Sequence, residues 1–242
     1  MSNFAERVKK IQKNKDKLSD IAYMSIKTAI VNFEFDPGSY LSENMLAESL
    51  EMSRTPVREA ISMLSQENLL EVKKGGIYVS EISVNDLKQI YDARKALECE
   101  AMRTAGENIT TEEINYFRSK GEKCLEIFLA RNKIDWETIS TYDRELHNMI
   151  IQRSNNLYIQ KLARVIDAQV GRYQYLAAIA HDNIEDTIHQ HLEIIDLIER
   201  NDEQLINKLR LHIDQAANNI VELMINKQNH LFELLKAKSK ES

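Results

Sequence analysis

Across 242 residues the chain sets 32 Lys and Arg against 38 Asp and Glu, a formal net charge of −6. That length holds one large domain or two ordinary ones, each able to bury a core, and 43% hydrophobic against 29% charged residues excludes an intrinsically disordered chain. No apolar run approaches the roughly 18 residues of a membrane span, and the polar, basic start "MSNFAERVKKIQKNKDKLSD" lacks the apolar stretch of a signal peptide, so a cytoplasmic protein with no membrane partner is expected.

Two prolines and six glycines leave little punctuation, which favours long helices. Residues 1–17 read as a basic extension. In "LSDIAYMSIKTAIVNFEF" the residues Ile21, Met24, Ile26, Ala29, Ile30 and Phe33 fall roughly on one helix face. Asp36-Pro37-Gly38 turns the chain. "SENMLAESLEM" follows with Ser42 as N-cap and Met45, Leu46 and Leu50 on one face. A third helix runs through "MSRTPVREAISML", and "LLEV", "KKGG" and "IYVS" read as a hairpin. Three small helices and a hairpin make a winged helix-turn-helix over residues 1–80. After a linker around "VSEISVND", the expected helices cover 84–105, 111–131, 135–153, 156–179, 183–200 and 202–235, with Thr110 or Thr111 as a cap and breaks at Asn155-Asn156 and Asn201-Asp202. The fold class is mainly α, with an all-α bundle over 84–235. Cys99 and Cys124 have no metal-type spacing and are expected as free thiols.

Charge separates the two parts. Residues 1–80 carry 11 basic and 11 acidic side chains, and the remainder 21 and 27, so the acidic excess lies wholly in the second part. A polyanion partner is therefore admissible at the N-terminal end. There, Ser53 as N-cap puts Arg54, Thr55 and Pro56 in the first helical turn, where a missing N–H is harmless. Arg54 and Arg58 are i and i+4, about 40° apart around the axis, while Val57, Ile61 and Leu64 face inward. Two guanidiniums thus project from the front of an exposed helix, the place from which a recognition helix reaches guanine O6 and N7. Free N–H groups at the same helix end suit a phosphate. Lys73 and Lys74, beside Gly75-Gly76 at the hairpin tip, suit backbone or minor-groove contact. The competing reading pairs Arg54 and Arg58 with Glu51 and Glu59.

The stretch "FDPGSYLSENMLAESLEMSRTPVREAISMLSQENLLEVKKGGIYVS" resembles the DNA-binding domain of GntR-family bacterial transcription regulators. Pro37-Gly38, Leu46-Ala47, the run from Ser53 to Ala60, and Leu64 fall on the family's motif. The resemblance implies that Arg54 and Arg58 contact operator DNA together with neighbouring Ser53 and Thr55, and that the wing, with Lys73, Lys74 and Gly75, does so too. Asn44 stands where many members carry a DNA-contacting Arg, which implies altered readout there.

In the second part, Asp143 and His147 are i and i+4 and can ligate one ion from a single helix face. His191 shares its side of a helix with Ile184, Ile188, Ile195 and Ile198; His212 lies on a stripe with Leu205, Leu209, Ala216 and Ile220. Both point inward, whereas His189 points to solvent. By themselves these side chains admit hydrogen-bonded core histidines as well as a metal site. Arg94, on a face with Leu87, Ile90, Leu97 and Ala101, is a charge that needs a neutralising partner: a bound carboxylate, or Glu98 one turn away. "IYDARKALECEAM", "YDRELHNMIIQRSNN" and "HQHLEIIDLIERND…LRLHI" resemble the FCD class of GntR regulators, of the FadR subfamily. That resemblance implies that Asp143, His147, His191 and His212 hold a divalent ion (zinc, nickel or manganese), that Arg94 faces a small organic-acid effector, and that the chain is a homodimer on an inverted-repeat operator. Tyr91, Arg164 and Arg172 are further effector-binding candidates.

A metal-dependent hydrolase and a DNA-binding protein with a purely structural metal use the same residues. No nucleophile motif, placed general base or phosphate-cradling Gly loop supports catalysis. The expectation is a ligand-responsive transcription regulator, acting as a repressor, and not an enzyme.

Overall fold

The computed structural model describes residues 17–131, 133–179 and 183–226. The chain forms two compact units that divide after Ser83. In the first, α1 (Leu18–Val31), α2 (Glu43–Ser49) and α3 (Arg54–Gln66) accompany strands β1 (Tyr40–Leu41), β2 (Leu70–Lys73) and β3 (Gly76–Val79). The expected basic extension lies almost wholly outside the described residues.

Helix α1 buries Ile21, Ala22, Ser25, Ile26, Ala29 and Ile30, chiefly against α3. Met24, expected on that face, is half exposed, because the buried stripe passes through Ser25 instead. Tyr23 donates to Glu67 (2.5 Å) and Lys27 donates to the same carboxylate (3.0 Å), tying α1 to the end of α3. Asp36 and Ser39 close the expected turn with a 3.0 Å backbone hydrogen bond, and Gly38 supplies the positive φ of 75° that its third position needs.

The N-terminus of α2 is capped as expected, with the Met45 N–H donating to Ser42 Oγ at 3.1 Å. Ser42→Ala should therefore cost about 1 kcal/mol of unfolding free energy, and a chemical denaturation curve superimposable on that of the parent would rule the cap out.

The expected hairpin is part of a three-stranded antiparallel sheet in the order β1-β3-β2. Lys73 pairs with Gly76 in the β2–β3 register, which leaves Lys74 and Gly75 as the tip. On the other side Tyr40 pairs with Tyr78. Gly76, at φ 150°, lies against the Tyr40 ring so closely that a Cβ there would overlap it.

The second unit contains α4 (Val84–Ala105), α5 (Thr111–Arg131), α6 (Trp136–Arg153), α7 (Leu157–Ile179), α8 (Ile184–Glu199) and α9 (Leu205–Asn226). Thr110 and Glu113 form a reciprocal capping box at the start of α5: Glu113 N–H donates to Thr110 Oγ1 and Thr110 N–H donates to Glu113 Oε2. Asp135 caps α6 by accepting from Thr138 N–H at 2.8 Å. Helix α9 starts at Leu205 rather than 202, because Asp202 turns back to accept from the Gln204 N–H. Residues 227–235 of the expected last helix lie outside the described residues. The helices that carry the inward polar groups, α4, α6, α8 and α9, belong to one bundle in which α4 packs on α6, α7 and α9.

Candidate metal centre and nucleic-acid interface

Helix α6 brings Asp143 and His147, α8 brings His191 and α9 brings His212 to one point inside the bundle. His191 is fully buried, and His147 and His212 almost so. The three Nε2 atoms form a triangle: 3.3 Å from His147 to His191, 3.1 Å from His191 to His212, and 3.3 Å from His212 to His147. Asp143 Oδ1 lies 3.3 Å from His191 Nε2 and 3.8 Å from His147 Nε2. All four donor atoms fall within 4.8 Å of one another.

The outer ring nitrogens decide what these atoms can hold. His147 Nδ1 faces Glu98 Oε2 at 2.5 Å, and a buried carboxylate there requires that Nδ1 carry the proton. His212 Nδ1 faces Gln190 Oε1 at 2.8 Å; because the Gln190 amide nitrogen donates to Gln215, its oxygen must be the acceptor and this Nδ1 is protonated too. With Nδ1 taken, each of these rings in its neutral form turns the Nε2 lone pair to the shared point. Burial, with the charge of Arg94 adding to it, outweighs Asp143 and lowers the His191 pKa to about 3, and burial above all pushes His212 well below its usual value. Neutral imidazoles are the ligating form. Three imidazoles converging at cis-ligand spacing beside a carboxylate fit a divalent cation.

Further out, Glu98 links the metal-facing ring to the arginine. It accepts from Arg94 Nε at 2.7 Å, and Arg94 Nη2 lies 3.9 Å from Asp143 Oδ2. Burial alone would raise the Glu98 pKa, but His147 and Arg94 hold it down, at about 2. Burial likewise opposes ionisation of Asp143, and His147, His191 and Arg94 together overcome it and lower its pKa. Arg94 stays charged, since the surrounding carboxylates more than offset its desolvation. The Glu98 pairing expected as the alternative for Arg94 is thus present, and it coexists with the approach to Asp143. Glu98 also orients His147, a role that the sequence reading missed. Glu98→Gln, which keeps the shape and loses the charge, should weaken divalent-metal affinity about 10–100-fold; a competition titration against a chromophoric chelator that gives the parent's affinity would remove Glu98 from this role.

Beside the centre lies a cavity of about 90 Å³ whose lining includes Tyr91, Arg94, Asp143, Gln174, His212 and Asn219. The Arg94 guanidinium stacks 5.5 Å over the Tyr91 ring, and burial pushes the Tyr91 phenol up to about 12. Two expected effector residues do not join this lining. Arg164 is exposed on α7. Arg172 is fully buried and donates to Gln169. Eight residues on a helix rotate the side chain by about 80°, so the two arginines point in different directions, and from α7 the cavity takes Gln174, Ala177 and Ala178.

In the first unit, Arg54 and Arg58 are both exposed on α3 while Val57, Ala60, Ile61 and Leu64 are buried. Arg58 does not pair with Glu59; its Nε donates to Glu43 of α2 at 2.7 Å. Ser53 occupies the N-cap position, yet its side chain makes no capping hydrogen bond. Pro56 explains this: it stands three residues on, where the N–H that a cap usually accepts from is missing. Thr55 and Asn44 are exposed. On the wing, Lys73 pairs with Glu71 and lies 5.7 Å over the Tyr78 ring, and Lys74 and Gly75 form the exposed tip.

Comparison with known proteins agrees with both halves. The family described as "Bacterial regulatory proteins, gntR family" matches residues 18–79, and the FCD domain matches residues 89–215. The Nta operon transcriptional regulator of Aminobacter aminovorans is 27% identical over 204 residues, covering 80% of this chain and 90% of its own. The gluconate operon transcriptional repressor of Bacillus licheniformis is 24% identical over 210 residues, covering 84% and 85%. Among solved structures, E. coli McbR/YncC has the same fold, with a TM-score of 0.71 at 23% identity over 88% of this chain and 99% of that one. No helix among the described residues is long and apolar enough to cross a membrane. Both curated relatives are named as transcriptional regulators of operons, and the chain belongs to the GntR family of DNA-binding bacterial transcription regulators, with an FCD domain as its second half.

Proposed function

We propose that the chain is a ligand-responsive regulator, acting as a homodimeric repressor in the cytoplasm, which senses a small carboxylate through a metal centre in its second half. Residues 1–80 read an inverted-repeat operator and residues 84–235 sense and dimerise. The observation that carries this reading is the convergence of three histidine Nε2 atoms and Asp143 beside a cavity that also contains the Arg94 guanidinium. A divalent ion held by Asp143, His147, His191 and His212, whether zinc, nickel or manganese, supplies Lewis acidity toward a carboxylate oxygen. Arg94 offers the same carboxylate a planar hydrogen-bonding fork. A site meant only for structure has no need of a cavity beside its donors, and this favours sensing over a purely structural ion.

On the DNA side, Arg54 and Arg58 reach base edges while the Ser53 hydroxyl, released from capping by Pro56, and Thr55 meet a phosphate at the helix front. Asn44 contributes from α2, and Lys73, Lys74 and Gly75 follow the backbone from the wing. Protein two-fold symmetry is mirrored in the operator. The effector shifts operator affinity only through its differential affinity for two arrangements of the sensing bundle.

Arg94→Lys tests the link. It keeps the charge that balances Glu98 but loses the fork, so operator binding without effector should be retained while the response to carboxylates falls by more than about tenfold. An undiminished response in a gel-shift titration would place the anchor elsewhere.

A further inference from the structure

The side chains around the cavity restrict which carboxylate it can take, and this step rests on the reading of Asp143 and the three histidines as a cation site. Among the described residues of the lining Arg94 is the only Lys or Arg, and it is already engaged with Glu98 and close to Asp143. One guanidinium and two carboxylates leave that buried group with one negative charge; with a divalent ion present the balance becomes one positive charge. A single carboxylate cancels it. A second carboxylate on the ligand would bring a further negative charge that no described lining residue compensates.

Size and surface point the same way. At about 90 Å³ the cavity is smaller than the roughly 150 Å³ core cavity that accepts benzene. Away from the charged floor its wall includes Ile139, Ile184, Ile220, Ala177 and Ala216, with Ser140, Thr187 and Asn219 among them, and carbon faces the space far more than nitrogen or oxygen does. Against so largely carbon a surface, polyhydroxy chains would lose more hydrogen bonds to water than the few hydroxyl and amide side chains there restore.

We propose that the site selects a short, singly charged carboxylate with a small hydrocarbon tail, and discriminates against dicarboxylates, tricarboxylates and sugar acids. Arg94 and the metal centre take the carboxylate, and the tail lies against the isoleucines and alanines. Selectivity arises from charge balance at the floor and from burial of carbon along the wall.

The test is calorimetric titration of the zinc-loaded full-length protein with acids that share one 2-hydroxy acid head. 2-Hydroxybutyrate should bind about fourfold tighter than lactate, the gain from one buried methylene. Malate, citrate and gluconate should bind at least about tenfold more weakly than lactate, the effect of a few kcal/mol or less of unpaired charge or unmet hydrogen bonds being enough. Malate, citrate or gluconate matching lactate would overturn the proposed selectivity while leaving the carboxylate-sensor reading intact. Failure of every acid to bind zinc-loaded protein would overturn both. Ala216→Leu adds bulk to the wall and should abolish 2-hydroxybutyrate binding with zinc content unchanged; if that variant keeps the parent's affinity, the tail does not lie there. Should the variant fail to fold, the acid series on the parent protein still decides.

Discussion

Exchange of His147 and His191 together for Ala is expected to leave the purified protein without bound divalent metal. The remaining donors, Asp143 and His212, lie on different helices, and a carboxylate with one imidazole is a poor site for any of the candidate ions. Both removed rings point their Nε2 atoms at the same spot as His212, so neither serves a separate hydrogen-bonding purpose on that side. Two consequences are measurable. Elemental analysis should find metal in the parent and none in the variant. Chelator should lower the melting temperature of the parent but not that of the variant, because a ligand that binds only the folded state stabilises it by mass action. Metal retained at the parent's stoichiometry in the variant would defeat the assignment of these ligands.

Arg58→Ala is expected to cost roughly 1–3 kcal/mol of operator affinity, about 5–150-fold, and to relax base preference at one position of each half-site. The structure adds a reason why Arg58 is suited to this work. Glu43 holds its Nε from the neighbouring helix, so the guanidinium is oriented before DNA arrives and its terminal NH2 groups remain free to bind a base. The pair is largely exposed on the arginine side, at 63%, and such pairs contribute little to stability; the variant should therefore fold and melt like the parent. Unchanged affinity in a footprinting titration would exclude a base contact from Arg58.

Much of the bundle was legible in the sequence because long amphipathic segments, few glycines and Asn-rich breaks mark helices clearly. Helices α4 and α5 begin and end where the periodicity places them. Strand β1 was not legible, since two residues, Tyr40 and Leu41, are too short to show alternation. The inward placement of Asp143, His147, His191 and His212 followed from helical spacing on three separate helices. Their meeting at one point is a tertiary fact that spacing alone cannot supply. Glu98 shows the difference well: one turn from Arg94 it reads as a local partner, and only the packing of α4 on α6 brings its other oxygen to His147. Gln190 escaped notice for the same reason, as an uncharged side chain whose role depends on α9 lying alongside. The free Ser53 hydroxyl, by contrast, could have been read directly from the proline three residues later. Arg172 is buried but lies outside the described cavity lining, because a buried arginine on a helix can face any of several neighbours and sequence does not say which.

The most direct test of the account is the affinity of the protein for its operator duplex, measured by fluorescence anisotropy with the metal-loaded protein, with and without a short 2-hydroxy acid, and again after chelation. Coupling between the bundle and the DNA-reading helices predicts that the acid shifts the dissociation constant by about 5–150-fold when metal is present, and that chelation abolishes the shift. Superimposable binding curves under all three conditions would contradict it.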